Sequence, residues 1–188
     1  MTKNLIFDRQ SLEQFRNGYI LVDNTALIDA SSERDSAMYS FLNYLNNINC
    51  DLLTTQAVYQ EFIRGAKDVT QNNIFMCFMK ELGIEPVGNT ERQFLAKENA
   101  LFRITYCQEA KNASLTDAGL AIYVYAHKSH NIGILTSNYR DMPASLFKRT
   151  TFFSYDCRGD IRTHAIYTIQ PDEILGRTMS KYMNRGGA

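Results

Sequence analysis

Apolar positions fall into short runs and three-to-four spacings that alternate along most of the chain. Tyr19-Ile20-Leu21-Val22 is a continuous apolar run of the kind that suits a strand buried on both faces, and Asp23 ends it. Before it, Asp8 or Ser11 can cap a short helix that carries Leu12 and Phe15 and stops at Gly18. After it, Ser31-Ser32-Glu33 opens a helix reaching Asn47, with Met38, Phe41, Leu42 and Leu45 on one face. CDLLT over 50–54 reads as a strand, QAVYQEFIRG as a helix with Val58 and Phe62 toward the core, and residues 70–83 as a further amphipathic helix. An extended segment at 84–87 leads into a helical pattern over 90–111, with Phe94, Leu101, Ile104 and Tyr106 on its apolar side. The helix from Ser114 is apolar nearly all round, which predicts burial, and it hands over to a strand from Asn131 to Thr136. TTFFSYDC and HAIYTIQ are two β-rich pieces ahead of a short helix from Pro171, and residues 184–188 read as a frayed end.

Strands alternating with helices predict an α/β fold: three α/β/α layers around a central, mostly parallel sheet, with a β-rich C-terminal extension. Residues 1–18 form an N-terminal helical appendage, 19–147 the main domain, and 148–188 an extension packed on it. Of the 188 residues 45% are hydrophobic and 21% charged, the composition of an ordinary globular domain. Lys and Arg number 20, Asp and Glu 20, so no global basic field holds nucleic acid, and a polyanion needs a local basic rim or metal ions. The four cysteines, Cys50, Cys77, Cys107 and Cys157, are far apart and form no C-x-x-C pair. They read mostly as buried thiols in a reducing compartment. MTKNLIFDRQ lacks a signal design and no apolar run approaches the roughly 18 residues of a membrane span. The expected location is cytoplasmic, with no membrane partner.

Four acids stand near strand ends or at the starts of the helices that follow: Asp23, Glu61, Asp117 and Asp141. In an open α/β sheet those positions face the ligand crevice. Carboxylates gathered there repel one another, and a hard divalent cation bound by oxygen, Mg²⁺ or Mn²⁺, keeps them ionised. Such ions activate water and neutralise a phosphodiester. Each acid also has a purely structural explanation. Asp23 can cap or turn, Glu61 can lie on the surface near Arg64, Asp117 stands three residues after Ser114 at capping-box spacing, and Asp141 can cap the turn PASLF.

In order along the chain, ILVDNTAL, TTQAVYQEF, SLTDAGLAIYVYA and ILTSNYRDM resemble the motifs of the PIN domain, a family of small metal-dependent ribonucleases that includes the VapC-type toxins. The resemblance covers roughly residues 19 to 147. It implies a PIN-like nuclease domain in which Asp23, Glu61 and Asp117 bind metal and Asp141 completes or tunes the site. Thr136 would hold a carboxylate through its hydroxyl, Asn138 would bind water, metal or phosphate, and Asn24 and Thr25 match the polar residues that follow the first acid. Many family members carry an aspartate where this chain has Asn138, and the T-x-N-x-x-D-F variant is followed up to Asp141 and left at Met142. The implied activity is endonucleolytic hydrolysis of RNA leaving a 5′-phosphate, in a toxin-type or RNA-processing role. Implied partners are an RNA substrate, an antitoxin protein and a second copy of the chain.

His127, His130 and His164 share no ligand spacing with a carboxylate, so solvent or core positions are expected. Arg140, Lys148, Arg149, Arg158 and Arg162, interleaved with Phe152, Phe153 and Tyr155, either line an RNA path or form a solvated face diluted by Asp156 and Asp160. A haloacid dehalogenase-type phosphatase needs a second acid where Thr25 stands, and neither common glycine-rich nucleotide motif is present. The competing reading is a non-catalytic RNA-binding or protein-scaffolding module on the same fold.

Overall fold

In the computed structural model, residues 7–32, 36–88, 97–157 and 160–183 are described. A short helix α1 (Arg9–Leu12), capped by the Asp8 side chain, runs through a 3₁₀ turn (Glu13–Phe15) into β1 (Tyr19–Val22). There follow α2 (Asn24–Ser31), α3 (Ala37–Asn47), β2 (Asp51–Thr55), α4 (Gln56–Arg64), α5 (Val69–Glu81) and β3 (Glu85–Val87). The remainder is α6 (Lys97–Glu109), α7 (Leu115–Ala126), β4 (Ile132–Thr136), β5 (Phe147–Cys157), β6 (Asp160–Ile169) and α8 (Asp172–Met183). The Pro171 carbonyl accepts from Ile174 and Leu175, so the proline sits at the mouth of α8, where its missing N–H costs nothing.

The six strands form one sheet in the order β3-β2-β1-β4-β6-β5. β1 to β4 run parallel, and β6 pairs antiparallel with both β4 and β5. The architecture is an α/β/α sandwich around a largely parallel sheet. Parallel neighbours need long crossovers, which α2–α5 and α6–α7 supply, whereas β5 and β6 are nearly contiguous in sequence and can pair only antiparallel. One layer packs through Phe41 of α3 against Phe153 of β5, the other through Phe102 and Tyr106 of α6 against Phe147. Between the layers Ile20, Leu21, Val22, Ile134 and Leu135 are fully buried. Among the described residues no helix is long and apolar enough to cross a membrane.

Three expectations need correction. The helix expected over 31–47 is α3, which begins only at Ala37, and a separate helix, α2, occupies 24–31, where none was expected. Asp23 caps α2 directly after β1, burying Ala26, Leu27 and Ala30, and Ser36 caps α3 by accepting from the Tyr39 N–H. Each helix starts at its own polar cap, Asp23 for α2 and Ser36 for α3. The buried stripe of α6 is Phe102 and Tyr106, continued by Ala110 just past its end, and Ile104 is 54% exposed; Phe94 lies outside the described residues, as does the end at 184–188. Of the cysteines, Cys50 is buried, its thiol pushed up to about 12 mainly by burial, but Cys77 and Cys107 are exposed on helices.

Candidate active site

β1 and β4 are adjacent and parallel, with Val22 opposite Leu135, so Asp23 and Thr136 emerge side by side at the carboxyl ends of two central strands. The Asp23 N–H donates to the Leu135 carbonyl at 3.0 Å, extending the ladder by one residue. Its carboxylate takes the Thr136 hydroxyl at 2.7 Å and the Thr25 hydroxyl at 3.0 Å on Oδ2, and the Asn24 N–H at 2.7 Å on Oδ1. The Ser137 N–H donates in turn to Thr25 Oγ1 at 3.3 Å. Asp23 therefore caps α2 and also stands at the strand end. Only 6% exposed, its carboxyl is pushed above the usual range by burial; the three donors pull it down, and the negative charge of Asp117 pushes it up again. Asn24 Oδ1 is buried with no hydrogen-bond donor among the described residues.

Past β4, Asn138 donates its N–H to Thr136 Oγ1 at 2.9 Å and its amide nitrogen to Asp141 Oδ2, fixing a 3₁₀ turn over Tyr139–Asp141. Asp141 is buried, and burial together with the charge of Asp117 raises its carboxyl, against the Asn138 hydrogen bond and Arg140. The turn after it is closed by the Pro143 carbonyl, which accepts from Leu146 and Phe147. The Tyr106 hydroxyl, buried under the sheet, donates to the Asp141 carbonyl at 3.0 Å.

Asp117 lies in the first turn of α7 and closes a capping box. The Ser114 hydroxyl accepts from its N–H at 3.1 Å, and its Oδ2 accepts from the Ser114 N–H at 3.0 Å. Ser114→Ala should cost about 1 kcal/mol, read as a lower urea midpoint at unchanged slope. Glu61 is exposed on α4, where its Oε1 accepts from the Thr116 hydroxyl, next in sequence to Asp117.

The structure thus brings the four acids to one end of the sheet. Yet among the described residues no three His, Cys, Asp or Glu side chains are gathered closely enough to hold one metal ion. Each carboxylate is turned onto a local donor instead: Asp23 onto hydroxyls, Glu61 onto Thr116, Asp117 onto Ser114 and Asp141 onto Asn138.

Sequence reading missed Tyr106 and Thr116 as supports. A tyrosine on a helix's buried face needs a partner for its hydroxyl, and that signal was available for Tyr106. It also missed a buried cluster behind α2. Asp29, 2% exposed, accepts from the Tyr155 hydroxyl at 2.6 Å and from the Arg162 guanidinium, with His164 Nε2 at 3.8 Å. Phe153 and Tyr155 are buried, which removes both from any surface path, and Arg162 is tied to Asp29; Arg158 lies outside the described residues. His127 stacks on Tyr123 at 4.2 Å and its Nδ1 meets the Tyr123 carbonyl.

No family model matches the chain, and comparison with curated proteins and with solved structures finds no significant match. Fold and site define a three-layer α/β/α sandwich with acids at the carboxyl end of its sheet, an architecture compatible with a PIN domain and not specific to it.

Proposed function

We propose that this chain is a metal-dependent endoribonuclease of the PIN-like type, hydrolysing RNA phosphodiesters at the carboxyl ends of β1 and β4. The observation that carries the reading is the convergence on the start of α7: the charge of Asp117 reaches both Asp23 and Asp141, and Thr116 beside it holds Glu61. The donor set is carboxylate oxygen with an amide at Asn138, which suits Mg²⁺ or Mn²⁺ over softer ions. Asp23, Glu61 and Asp117 would hold the ion and Asp141 would support it. Bound there, it supplies charge neutralisation at the phosphodiester and an acidified water. Thr25 and Thr136 fix the plane of the Asp23 carboxylate, and Asn138 fixes Asp141.

The test is a panel of tRNA and single-stranded RNA incubated with Mn²⁺, Mg²⁺ or EDTA. Cleavage is expected with either metal and none with EDTA, alongside calorimetric binding of Mn²⁺. No cleavage under any metal, with no Mn²⁺ heat, would overturn the reading. A second reading, a non-catalytic RNA-binding or scaffolding module, is favoured by one observation: each of the four acids is satisfied by a nearby donor, and among the described residues none is grouped as a chelate.

A further inference from the structure

Strand pairing places more than the acids in one row. Thr136 of β4 is opposite Ala165 of β6, and Ala165 is opposite Phe152 of β5. Paired residues share a face of the sheet. Asp23, one step past the Val22–Leu135 pair, heads the same row. Asp23, Thr136, Ala165 and Phe152 thus run across four strands, and the Phe152 Cα lies two strand spacings, roughly 10 Å, from that of Thr136. Asp23, Thr136 and Ala165 are buried, so the row sets the spacing between carboxylate and ring, and Phe152 is its exposed end.

Phe152 is 58% exposed, an unusual state for a phenylalanine in a strand whose neighbours Phe153 and Tyr155 are buried. Its surroundings are built by an irregularity. Between Arg149 and Thr151 the β5–β6 register shifts by one residue, leaving Thr150 as an insertion in the ladder. In a regular strand residues three apart point to opposite faces. The bulge returns Arg149 and Phe152 to the same face, and the guanidinium carbon sits 5.0 Å from the ring centroid. One side of the ring is therefore backed by a cation, and the residue stays more than half exposed. Ser154 and Thr163 continue this face, their hydroxyls 2.7 Å apart, and Asp156, next out on it, opposes phosphate and marks where the surface ends.

We propose that Phe152 and Arg149 form a stacking platform for one base of a single-stranded RNA, with the guanidinium meeting an adjacent phosphate, at the exposed end of the row that Asp23 heads. This rests on the reading of the carboxylate end as an RNA-cleaving site and adds where and how the strand is held. A flat ring accepts any base, so the platform positions the chain without reading sequence, and paired bases of a duplex cannot reach it.

The experiment is fluorescence anisotropy of a labelled single-stranded RNA with the full chain in EDTA, where no cleavage intervenes, followed by steady-state kinetics with Mn²⁺. Phe152→Ala should weaken binding by about tenfold or more, and Phe152→Trp should restore it. Arg149→Gln should lower the slope of log affinity against log salt by about one phosphate. The thermal midpoint of each variant, unchanged for these exposed positions, separates binding from folding. Equal affinity of wild type and Phe152→Ala overturns the platform, as does failure of wild type to bind. If Phe152→Ala binds weakly yet wild type cuts nothing, the platform stands and the nuclease reading falls. If Mn²⁺-dependent cleavage proceeds with unaltered KM in Phe152→Ala, the reverse holds.

Discussion

Lowering the pH from 6.5 to 4 should cost this fold about 3 kcal/mol through one side chain, His164. The imidazole is 1% exposed and its pKa is pushed down from 6.5 to about 4. Burial is the main cause and Arg162 adds to it, outweighing Asp29 and the Thr25 backbone, which favour the charged ring. The hydroxyl of Tyr155 lies 3.5 Å from Nδ1, and Nε2 is buried with no hydrogen-bond partner among the described residues. A histidine held neutral in the folded state and free to protonate when unfolded contributes its stability above pH 6.5 and loses it as pH falls through 6.5 toward 4. Urea unfolding of wild type and His164→Asn at pH 7 and at pH 4.5 measures the difference. Wild type should lose more stability than the variant across that interval, and parallel pH profiles would refute the assignment.

Asp23→Asn should abolish metal-dependent cleavage while leaving the thermal midpoint unchanged or a few degrees higher. The carboxylate is buried, its pKa is raised, and Asp117 repels it, so its charge is a cost to the folded state at neutral pH. An asparagine keeps an oxygen for the Asn24 N–H and turns an amide toward Thr25 and Thr136, whose hydroxyls can rotate to accept. Geometry survives and charge does not. A variant that still cuts RNA with Mn²⁺, or that loses several degrees, would show that Asp23 serves the fold and not the chemistry.

How far the sequence could be read depended on what carries the information. The layers, the parallel strands and the buried α7 were legible because apolar runs and helical spacings are local and strong. Helix α2 was hidden because Asn24 to Ala30 continues a strand without an obvious start; only the side chain of Asp23, both acid and cap, marks it. The four acids could be picked out, Asp23 at a strand end and Glu61 and Asp117 on helices. What each carboxylate accepts from could not be read, since Thr136 reaches Asp23 across 113 residues. The Asp29–Tyr155–Arg162–His164 cluster was illegible for the same reason: it joins α2 to a hairpin 126 residues away. The one-residue insertion at Thr150 leaves no trace in composition or periodicity, yet it decides which way Phe152 faces.

The sheet order also sets a timetable. β1 lies between β2, which begins at Asp51, and β4, which begins at Ile132. During synthesis at about 5–20 residues per second, β1 and β2 can pair early, but one edge of β1 waits for several seconds or more until β4 has emerged. Closing such distant pairings is slow compared with forming local helices. Until then Asp23 lacks its Thr136 hydroxyl and the residues from Asn138 to Asp141 are not yet made. A nascent chain is therefore a half-sheet with an open apolar edge and its acids not yet brought together, and it is most vulnerable to association with its neighbours in that interval.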